Sequence, residues 1–192
     1  MDFIYEIENI LEPSICKSII ERFENDDNKV RGRTNGGYLP DVKICTELSF
    51  GGDHIIKKWS DVISLTLSIL THNLPKYINH IVDISPDEHE CLRGTFNFCV
   101  ASAPQIQKTT KGGFFKWHHD GYKNRILTYI IYLNDVNQED GGSTDFLLGK
   151  SIQPKVGKMV IFPSNIAYIH RGNELKDGSK YIMTGFIHDE SQ

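Results

Sequence analysis

The spacing of hydrophobic residues changes near the middle of the chain and divides it into two parts. In the first part, residues 12–24 place apolar side chains three and four positions apart, which predicts an amphipathic helix. Residues 53–73 share this periodicity and predict a second helix, which Pro75 is expected to end or kink. A short strand is predicted over residues 3–7, and residues 25–45 are expected to form a loop. The side chains expected on the buried helix faces are Ile15, Ile19, Ile20 and Phe23, then Ile56, Trp59, Ile63, Leu67 and Leu70.

After Pro86 the sequence consists of short runs rich in β-branched and aromatic residues, separated by glycine-, proline- and asparagine-containing turns. Strands that follow one another without intervening helices are typical of a β-sandwich or a small barrel. The pattern therefore predicts an α+β, mainly β, protein in which N-terminal helices support an antiparallel sheet. The predicted strands are residues 94–101, 126–133, 158–162 and 180–187.

Composition narrows the classes of function. With 192 residues, of which 39% are hydrophobic, the chain is long enough for one domain with a substantial core. The formal net charge of -4 argues against nonspecific binding of duplex nucleic acid, which requires a basic surface. No apolar run has the roughly 18–20 residues that a transmembrane helix needs, and the acidic N-terminus does not resemble a secretory signal. We therefore expect a cytoplasmic or intracellular protein with reduced cysteines and without a membrane partner.

Two of the eight histidines stand out by their position. His118 and Asp120 are two residues apart, so on an extended segment both side chains project to the same side. His119 would point away from Asp120, which favours His118 as the metal ligand. A second imidazole can come from His170, which follows a predicted strand and precedes a glycine turn. Two histidines and one carboxylate form the facial triad of non-haem iron(II) oxygenases, which leaves positions open for a chelating 2-oxoacid and for dioxygen. A lone His-x-Asp pair is common in proteins, so the surrounding pattern has to support this interpretation.

The segment from about Gly112 to Phe186 resembles the iron(II)/2-oxoglutarate-dependent dioxygenases, specifically the prolyl 4-hydroxylase-like branch. Each motif is weak by itself, and their common order and spacing carry the resemblance. The N-terminal residues 7–16 are also similar to the opening strand and helix of such proteins. The matching motifs are FKWHHD at 115–120, RILTYIIYLN at 125–134, GGSTDF at 141–146, PKVG at 154–157, HRG at 170–172, and Lys180.

The resemblance implies a fold and a domain organisation. The fold is a double-stranded β-helix, or jelly roll, with N-terminal supporting helices. Residues 1–192 would form one dioxygenase domain, with a mostly helical support region at 1–90 and the catalytic jelly-roll core at 91–192. In this arrangement His118, Asp120 and His170 would bind iron(II).

The resemblance also implies a cosubstrate site. Lys180 would pair with the C5 carboxylate of 2-oxoglutarate, and Tyr132 would help to hold the same group. A tyrosine that only packs in the core is the alternative for Tyr132. Thr128 shares the face of Tyr132 and would line the pocket. Phe186 would either wall the iron site or pack in the core. Thr109 departs from the family, which commonly has a tyrosine there that contacts 2-oxoglutarate. Either its hydroxyl replaces that contact or the loop is arranged differently.

The expected function is hydroxylation of a C–H bond with O2, coupled to decarboxylation of 2-oxoglutarate to succinate and CO2, with L-ascorbate as an implied accessory reductant. By resemblance the substrate is a prolyl residue in a peptide or protein, as in procollagen-proline 4-dioxygenases. The alternatives are a same-fold oxygenase acting on a free amino acid, another small molecule or nucleic acid, and a noncatalytic jelly-roll metal-binding protein. Asp26 and Asp27 are expected to form part of a solvated loop. The histidines expected to have no ligand role are His54, His72, His80, His89, His119 and His188.

Overall fold

The computed structural model describes residues 3–84, 94 and 96–190. The helices are α1 (Pro13–Glu24), α2 (Asp53–Lys58) and α3 (Ser60–Asp83). The strands are β1 (Tyr5–Ile7), β2 (Val30–Arg31), β3 (Lys43–Ile44), β4 (Thr46–Ser49), β5 (Cys99–Ala101), β6 (Gln105–Thr110), β7 (Phe114–His118), β8 (Arg125–Tyr132), β9 (Thr144–Phe146), β10 (Ser151–Ile152), β11 (Met159–Pro163), β12 (His170–Gly172) and β13 (Ser179–Asp189).

The strands form two antiparallel sheets, as the jelly-roll expectation requires. The major sheet has the order β1-β11-β8-β13-β6-β4-β2, and β5 also pairs with β13. The minor sheet has the order β10-β9-β12-β7-β3. The mainly β fold with N-terminal helices is therefore confirmed. The predicted domain division at residues 90 and 91 lies outside the described residues, and the single-domain organisation stays a prediction.

The long central strands and β1 lie close to their predicted positions, whereas most of the other strands were missed. Strands β8, β11 and β13 match the predicted runs, whereas the run at 94–101 is strand only from Cys99 to Ala101. Strands of two or three residues, such as β9, β10 and β12, carry too little alternation to be visible in the sequence. None of the described helices combines the length and the hydrophobicity needed to cross a lipid bilayer.

Strand β8 separates the helix-facing core from the interior of the jelly roll. Leu127, Tyr129 and Ile131 belong to the hydrophobic cluster that the helices cover. Ile130 and Tyr132 belong to a second cluster, which fills the space between the two sheets. Because side chains alternate along a strand, this arrangement turns the even-numbered residues of β8 toward the interior, where the candidate site lies.

Helix α1 has the predicted bounds but a slightly different buried face. Cys16, Ile19 and Phe23 are buried against the major sheet, whereas Ile15 is 37% exposed and Ile20 is only partly buried. The spacing of three and four residues is preserved, but the helix is rotated relative to the predicted stripe. Hydrophobic periodicity defines the width of an apolar face, and the contact with the sheet selects which edge of that face is buried.

The second predicted helix is two helices, and Pro75 does not end it. A break at Trp59 separates α2 from α3, and α3 continues through Pro75 to Asp83. Tyr77 is fully buried beyond the proline, so burial on both sides of Pro75 offsets the missing backbone hydrogen bond. The predicted stripe is correct for Trp59 and Leu70 but wrong for Ile56, which is 43% exposed. The buried face of α3 is formed by Val62, Thr66, Leu70, Asn73, Tyr77, Ile81 and Val82.

The prediction of a solvated loop is wrong for Asp26, whose side chain is fully buried. Its carboxylate accepts hydrogen bonds from Trp59 Nε1 at 2.8 Å and from the Asn28 backbone N–H at 2.8 Å. Lys58 Nζ lies 2.8 Å from Asp26 Oδ2. Although burial opposes ionisation, the hydrogen bonds from Lys58, Asn28 and Trp59 hold the pKa of Asp26 well below its usual range. Asp26 therefore connects α1 to the start of α3.

Replacing Asp26 by alanine is expected to lower the free energy of unfolding by about 3 kcal/mol, because buried donors lose their acceptor. Asp27 is exposed, so Asp27→Ala is the matched control and should change stability by less than about 0.5 kcal/mol. Urea unfolding followed by circular dichroism measures both. The stabilisation from Asp26 should be full above about pH 4 and decline as the pH falls further, because protonation removes the paired charge. Equal stability of the two variants would contradict this assignment.

Candidate active site

Three of the predicted site residues meet where the minor sheet pairs β7 with β12. His118 and His170 are direct partners in the register of this pair, and Asp120 follows two residues after His118. Asp120 Oδ1 lies 3.6 Å from His118 Nε2, and Asp120 Oδ2 lies 3.5 Å from His170 Nε2. One ligand atom of each residue lies within 4.8 Å of the others. In the part of the chain that the structure describes, no other group of three His, Cys, Asp or Glu converges in this way.

Backbone carbonyls orient both imidazoles. His118 Nδ1 is 2.8 Å from the Lys116 carbonyl oxygen, and His170 Nδ1 is 3.1 Å from the Tyr168 carbonyl oxygen. Each ring therefore donates from Nδ1 and turns its Nε2 lone pair toward Asp120. Burial lowers the pKa of His118 to about 4, an effect to which His170 adds, and burial also lowers the pKa of His170. Both rings are thus neutral near pH 7, which is the form that binds a metal ion.

Thr128 and Ser164 hold the carboxylate of Asp120. The Thr128 hydroxyl donates to Asp120 Oδ2 at 2.9 Å and lies 2.9 Å from Ser164 Oγ. The Asp120 backbone N–H also donates to the Ser164 carbonyl oxygen at 3.0 Å. Thr128 lines the cavity as predicted, and its hydroxyl binds the carboxylate of Asp120; the cosubstrate role predicted for it stays a prediction. The position of Thr128 indicates that its hydroxyl orients the carboxylate of Asp120.

Removing the Thr128 hydroxyl should weaken metal binding without removing a ligand. We expect Thr128→Val to lower the affinity for Fe(II) by about 10- to 100-fold, as is typical when an outer partner of a metal ligand is lost. Thr128→Ser keeps the hydroxyl and should bind Fe(II) within about threefold of the wild type, by the same reasoning. Anaerobic titration with Fe(II) measures both. Equal affinities of the valine and serine variants would contradict the role assigned to the hydroxyl.

Aromatic side chains enclose the two histidines. The ring of Phe115 stacks on that of His118 with centroids 3.6 Å apart. Phe162 meets His170 edge-on at 4.8 Å, and Phe146 lies 5.7 Å from His170. These contacts fix the imidazole planes and keep water from the side of the site that faces the second hydrophobic cluster.

A cavity of about 460 Å³ connects this group to Lys180. Lys180 is 5% exposed, and its ammonium donates to the Gly142 carbonyl oxygen at 2.7 Å. Burial lowers its pKa to about 8. Among the described residues, no carboxylate forms an ion pair with Lys180, so a buried cation faces the cavity without a counter-charge. Such a position is suited to a carboxylate ligand.

Gly142 is a position that favours glycine. Its backbone has φ of +68°, and a Cβ there would lie 2.8 Å from Leu175 Cδ1. The glycine lets the main chain pass close to β13 and present its carbonyl oxygen to Lys180. The close passage of the main chain at Gly142 therefore occurs beside Lys180.

The other predicted cosubstrate residues lie at different distances from the cavity. Thr109 lines it and is the register partner of Lys180. Tyr132 lies behind the wall: it is fully buried in the cluster between the sheets, and its hydroxyl donates to Thr144 Oγ1 at 2.7 Å. Thr144 itself lines the cavity. The Tyr132 hydroxyl therefore ends at Thr144, and the contact predicted between Tyr132 and 2-oxoglutarate stays a prediction. Phe186 lines the cavity as predicted.

Several cavity residues were not identified from the sequence. Lys43 and Glu47 form a buried ion pair with Nζ and Oε2 2.9 Å apart, and Lys43 lines the cavity. Arg33 and Arg125 also line it. Arg125 stands at the start of a matched motif, which was the available signal. Lys43 lies in the segment that was predicted to be a loop, so nothing in the sequence marked it.

Two of the remaining histidines have partners within the protein. His80 stacks on Tyr5, and His188 Nδ1 is 3.0 Å from Asn124 Oδ1. His119 does not join the metal group: its ring stacks on Tyr122 with centroids 4.9 Å apart. His89 lies outside the described residues.

Comparisons with known proteins agree with this geometry. Residues 104–188 match the family model of the 2OG-Fe(II) oxygenase superfamily. Procollagen-lysine,2-oxoglutarate 5-dioxygenase 2 from Homo sapiens is 32% identical over 94 residues, which are 47% of this chain. The same protein from Mus musculus matches equally. The match spans 12% of the length of these curated relatives.

Solved structures show the same fold over nearly the whole chain. A prolyl hydroxylase from Trichoplax adhaerens, in complex with a hypoxia inducible factor peptide fragment, has a TM-score of 0.72 and 16% identity, over 99% of this chain and 85% of that one. The viral collagen prolyl hydroxylase of Paramecium Bursaria Chlorella virus-1, as a 2OG complex, has a TM-score of 0.66 and 17% identity, over 98% and 96%. A Pseudomonas putida prolyl-4-hydroxylase has a TM-score of 0.63 and 14% identity, over 100% and 95%.

Proposed function

We propose, from the match of residues 104–188 to the family model of the 2OG-Fe(II) oxygenase superfamily, that this chain is a dioxygenase that hydroxylates a C–H bond. The reaction would consume O2 and decarboxylate 2-oxoglutarate to succinate and CO2. The observation that carries the proposal is the convergence of His118, Asp120 and His170 in a cavity that also contains the buried ammonium of Lys180. A noncatalytic metal-binding jelly roll would have no need for the buried cation.

The three ligands fit iron(II). Two neutral imidazoles and one carboxylate offer the mixed nitrogen and oxygen donors of a facial triad, and the donor atoms lie close enough to share one ion. Iron(II), when bound by these residues, supplies the activation of dioxygen and of the 2-oxoacid. The protein positions the ligands through the Lys116 and Tyr168 carbonyls and through Thr128.

Lys180 is the proposed anchor for the distal carboxylate of 2-oxoglutarate. A protonated ammonium in a buried pocket forms a strong charge-assisted hydrogen bond with a carboxylate. The Thr144 hydroxyl, held by Tyr132, lies on the same cavity wall and offers a further polar contact. Thr109, opposite Lys180, supplies a small hydroxyl where relatives of this branch commonly have a tyrosine.

The proposed substrate is a prolyl residue in a peptide or protein, in the manner of a procollagen-proline 4-dioxygenase. The support is the similarity of fold to proteins named as prolyl hydroxylases, one of which was solved with a peptide. A lysyl residue is the second candidate, favoured by the 32% identity to a procollagen-lysine dioxygenase.

The test is aerobic incubation of the protein with Fe(II), 2-oxoglutarate and matched peptide libraries that contain proline or lysine. Succinate release and the gain of one oxygen atom by a peptide are measured together by mass spectrometry. We expect peptide oxidation in the proline library, with a larger yield when L-ascorbate is added as a reductant. Oxidation confined to lysine would support the second candidate. Failure to form succinate under all conditions would exclude the proposed activity.

A further inference from the structure

Two buried nitrogen atoms in the cavity have no hydrogen-bond partner. Within residues 3–84, 94 and 96–190, the buried side-chain polar atoms without a partner are His119 Nδ1 and Arg125 Nε. Both residues line the cavity that contains the metal group. Buried polar groups in proteins are normally satisfied, so two orphan atoms in residues that line one cavity point to a ligand in that cavity. Neither atom is used by the proposed iron site or by the proposed anchor of 2-oxoglutarate.

Arg125 is held in a fixed orientation with its donors available. Its guanidinium carbon lies 3.6 Å from the ring centroid of Phe186, so the planar group stacks on that ring. Stacking occupies the face of the guanidinium and leaves the N–H groups at its edge, a geometry suited to bidentate binding of a carboxylate. The charge of Asp120 acts on the guanidinium of Arg125. Asp120 is a proposed iron ligand and cannot serve as its permanent counter-charge.

A second arginine reaches the cavity from the segment between β2 and β3. The Arg33 backbone N–H donates to Glu47 Oε1 at 3.1 Å, and its carbonyl oxygen accepts from Lys43 Nζ at 3.3 Å. The buried pair of Lys43 and Glu47 thus holds the main chain of Arg33 at both of its polar groups. The side chain of Arg33 remains exposed and has no acidic partner among the described residues.

The residues that line the cavity carry a net positive charge, whereas the whole chain carries a net negative charge. The charged residues that line it in the described structure are Arg33, Lys43, Asp120, Arg125 and Lys180, of which one is acidic. Glu47 neutralises Lys43, and the proposed iron and 2-oxoglutarate account for Asp120 and Lys180. The two arginines are left without a counter-charge, in a protein whose net charge is -4.

We infer that the substrate carries a carboxylate close to the residue that is oxidised, and that Arg125 binds this group together with Arg33. The inference rests on the proposed function and specifies its substrate class. Two kinds of substrate supply such a carboxylate. One is a peptide with an acidic side chain, and the other is a free or C-terminal amino acid with its main-chain carboxylate.

Two pairs of blocked compounds test the inference and separate the sources. N-acetyl-prolyl-glutamate amide is compared with its glutamine counterpart, and N-acetyl-proline is compared with N-acetyl-prolinamide. Binding to the anaerobic protein with Fe(II) and saturating 2-oxoglutarate is measured by calorimetry. The visible absorption of the Fe(II)–2-oxoglutarate complex is followed at the same time, so that displacement of 2-oxoglutarate is recognised. In one pair or both, the acid should bind at least about tenfold more tightly than the amide, as expected for a charge-assisted hydrogen bond.

The variants identify the residue responsible. Arg125→Gln should abolish the preference for the acid, and Arg125→Lys should retain part of it, since a lysine keeps the charge without the bidentate geometry. Arg33→Gln should reduce the preference by less, because Arg33 is exposed. Arg22 also lies over an aromatic ring, that of Trp59 at 4.4 Å, and does not line the cavity. Arg22→Gln is therefore the matched control and should leave the preference unchanged.

The outcomes distinguish the inference from the proposed function. If the Fe(II)–2-oxoglutarate absorption forms and the wild type binds acid and amide equally, or binds neither acid, the inference is wrong and the proposed function stands. A preference that survives in Arg125→Gln would also overturn the inference. If the absorption does not form in the wild type, the proposed function fails and the inference fails with it.

Discussion

Replacing His118 by alanine is expected to abolish the weak visible absorption that Fe(II) and 2-oxoglutarate produce together in the anaerobic wild-type protein. The variant keeps Asp120 and His170, but two ligands no longer complete the facial triad. Loss of a residue that only supports a ligand typically costs about 10- to 100-fold in activity or affinity. Loss of the ligand itself should therefore lower 2-oxoglutarate turnover by more than about 100-fold. Absorption spectra and succinate release measure the two effects.

The adjacent histidine provides the control for this experiment. His119→Ala removes an imidazole next to the site, but the ring of His119 stacks on Tyr122 and does not join the metal group. We expect this variant to retain the visible absorption. Loss of the absorption in His119→Ala, with retention in His118→Ala, would show that the wrong histidine has been assigned.

Replacing Lys180 by methionine is expected to weaken 2-oxoglutarate binding by about 10- to 100-fold, because a charge-assisted hydrogen bond contributes about 1.5–3 kcal/mol. Methionine keeps most of the volume of the lysine side chain and removes its charge. Lys108 lies on the neighbouring strand β6 and pairs with Glu24 outside the cavity, with Nζ and Oε1 2.9 Å apart. Lys108→Met is therefore the matched control and should bind 2-oxoglutarate as the wild type does. Calorimetric titration of the three proteins measures the difference.

Lys180→Met should also change the stability of the protein, and in the absence of 2-oxoglutarate it should be stabilising. A buried ammonium without a carboxylate partner carries a desolvation penalty, which methionine does not. We expect Lys180→Met to raise the free energy of unfolding in the absence of 2-oxoglutarate by about 1 kcal/mol. Added 2-oxoglutarate should stabilise the wild type much more than the variant. A variant that is destabilised without ligand and still binds 2-oxoglutarate normally would show that Lys180 has a structural role only.

The pH dependence of 2-oxoglutarate binding follows from the same burial. Because burial lowers the pKa of Lys180 to about 8 in the free protein, its ammonium begins to lose its proton within an accessible pH range. The affinity for 2-oxoglutarate should be constant below about pH 7 and fall by up to about tenfold per pH unit above pH 8. Lys180→Arg keeps a cation that stays protonated, so its affinity should not change between pH 7 and pH 9. Titrations at these pH values measure the difference.

Local sequence was informative wherever a residue's role depends on its neighbours along one strand. The choice of His118 over His119 followed from the alternation of side chains on an extended segment, and the structure brings His118, Asp120 and His170 together. The alternation along β8 likewise placed Thr128 and Tyr132 on one face. Alternation could not show how far each side chain reaches, so Tyr132 was expected at the cosubstrate although its hydroxyl ends at Thr144.

Burial of charged residues could not be predicted from the sequence. Asp26 was assigned to a solvated loop, and Lys43 lies in the same predicted loop, yet both are buried. A charged side chain is buried when its partners surround it, and those partners come from distant parts of the chain, such as Trp59 for Asp26. The rotation of α1, which buries Cys16 in place of Ile15, has a similar origin, because the sheet beneath the helix selects the face.

By itself, the sequence determined the class of secondary structure in each half of the chain, the order of the motifs and the shared face of His118 and Asp120, whereas His170 was assigned as a ligand by resemblance to a known family. The first three depend on side-chain periodicity and on spacing along the chain, which are local properties. Only the tertiary structure decided that His170 lies opposite His118, that Lys180 has no acidic partner among the described residues, and that Arg33 and Arg125 line the same cavity. Each of these depends on the pairing of strands that are far apart in sequence, and that pairing is determined by the packing of the whole domain.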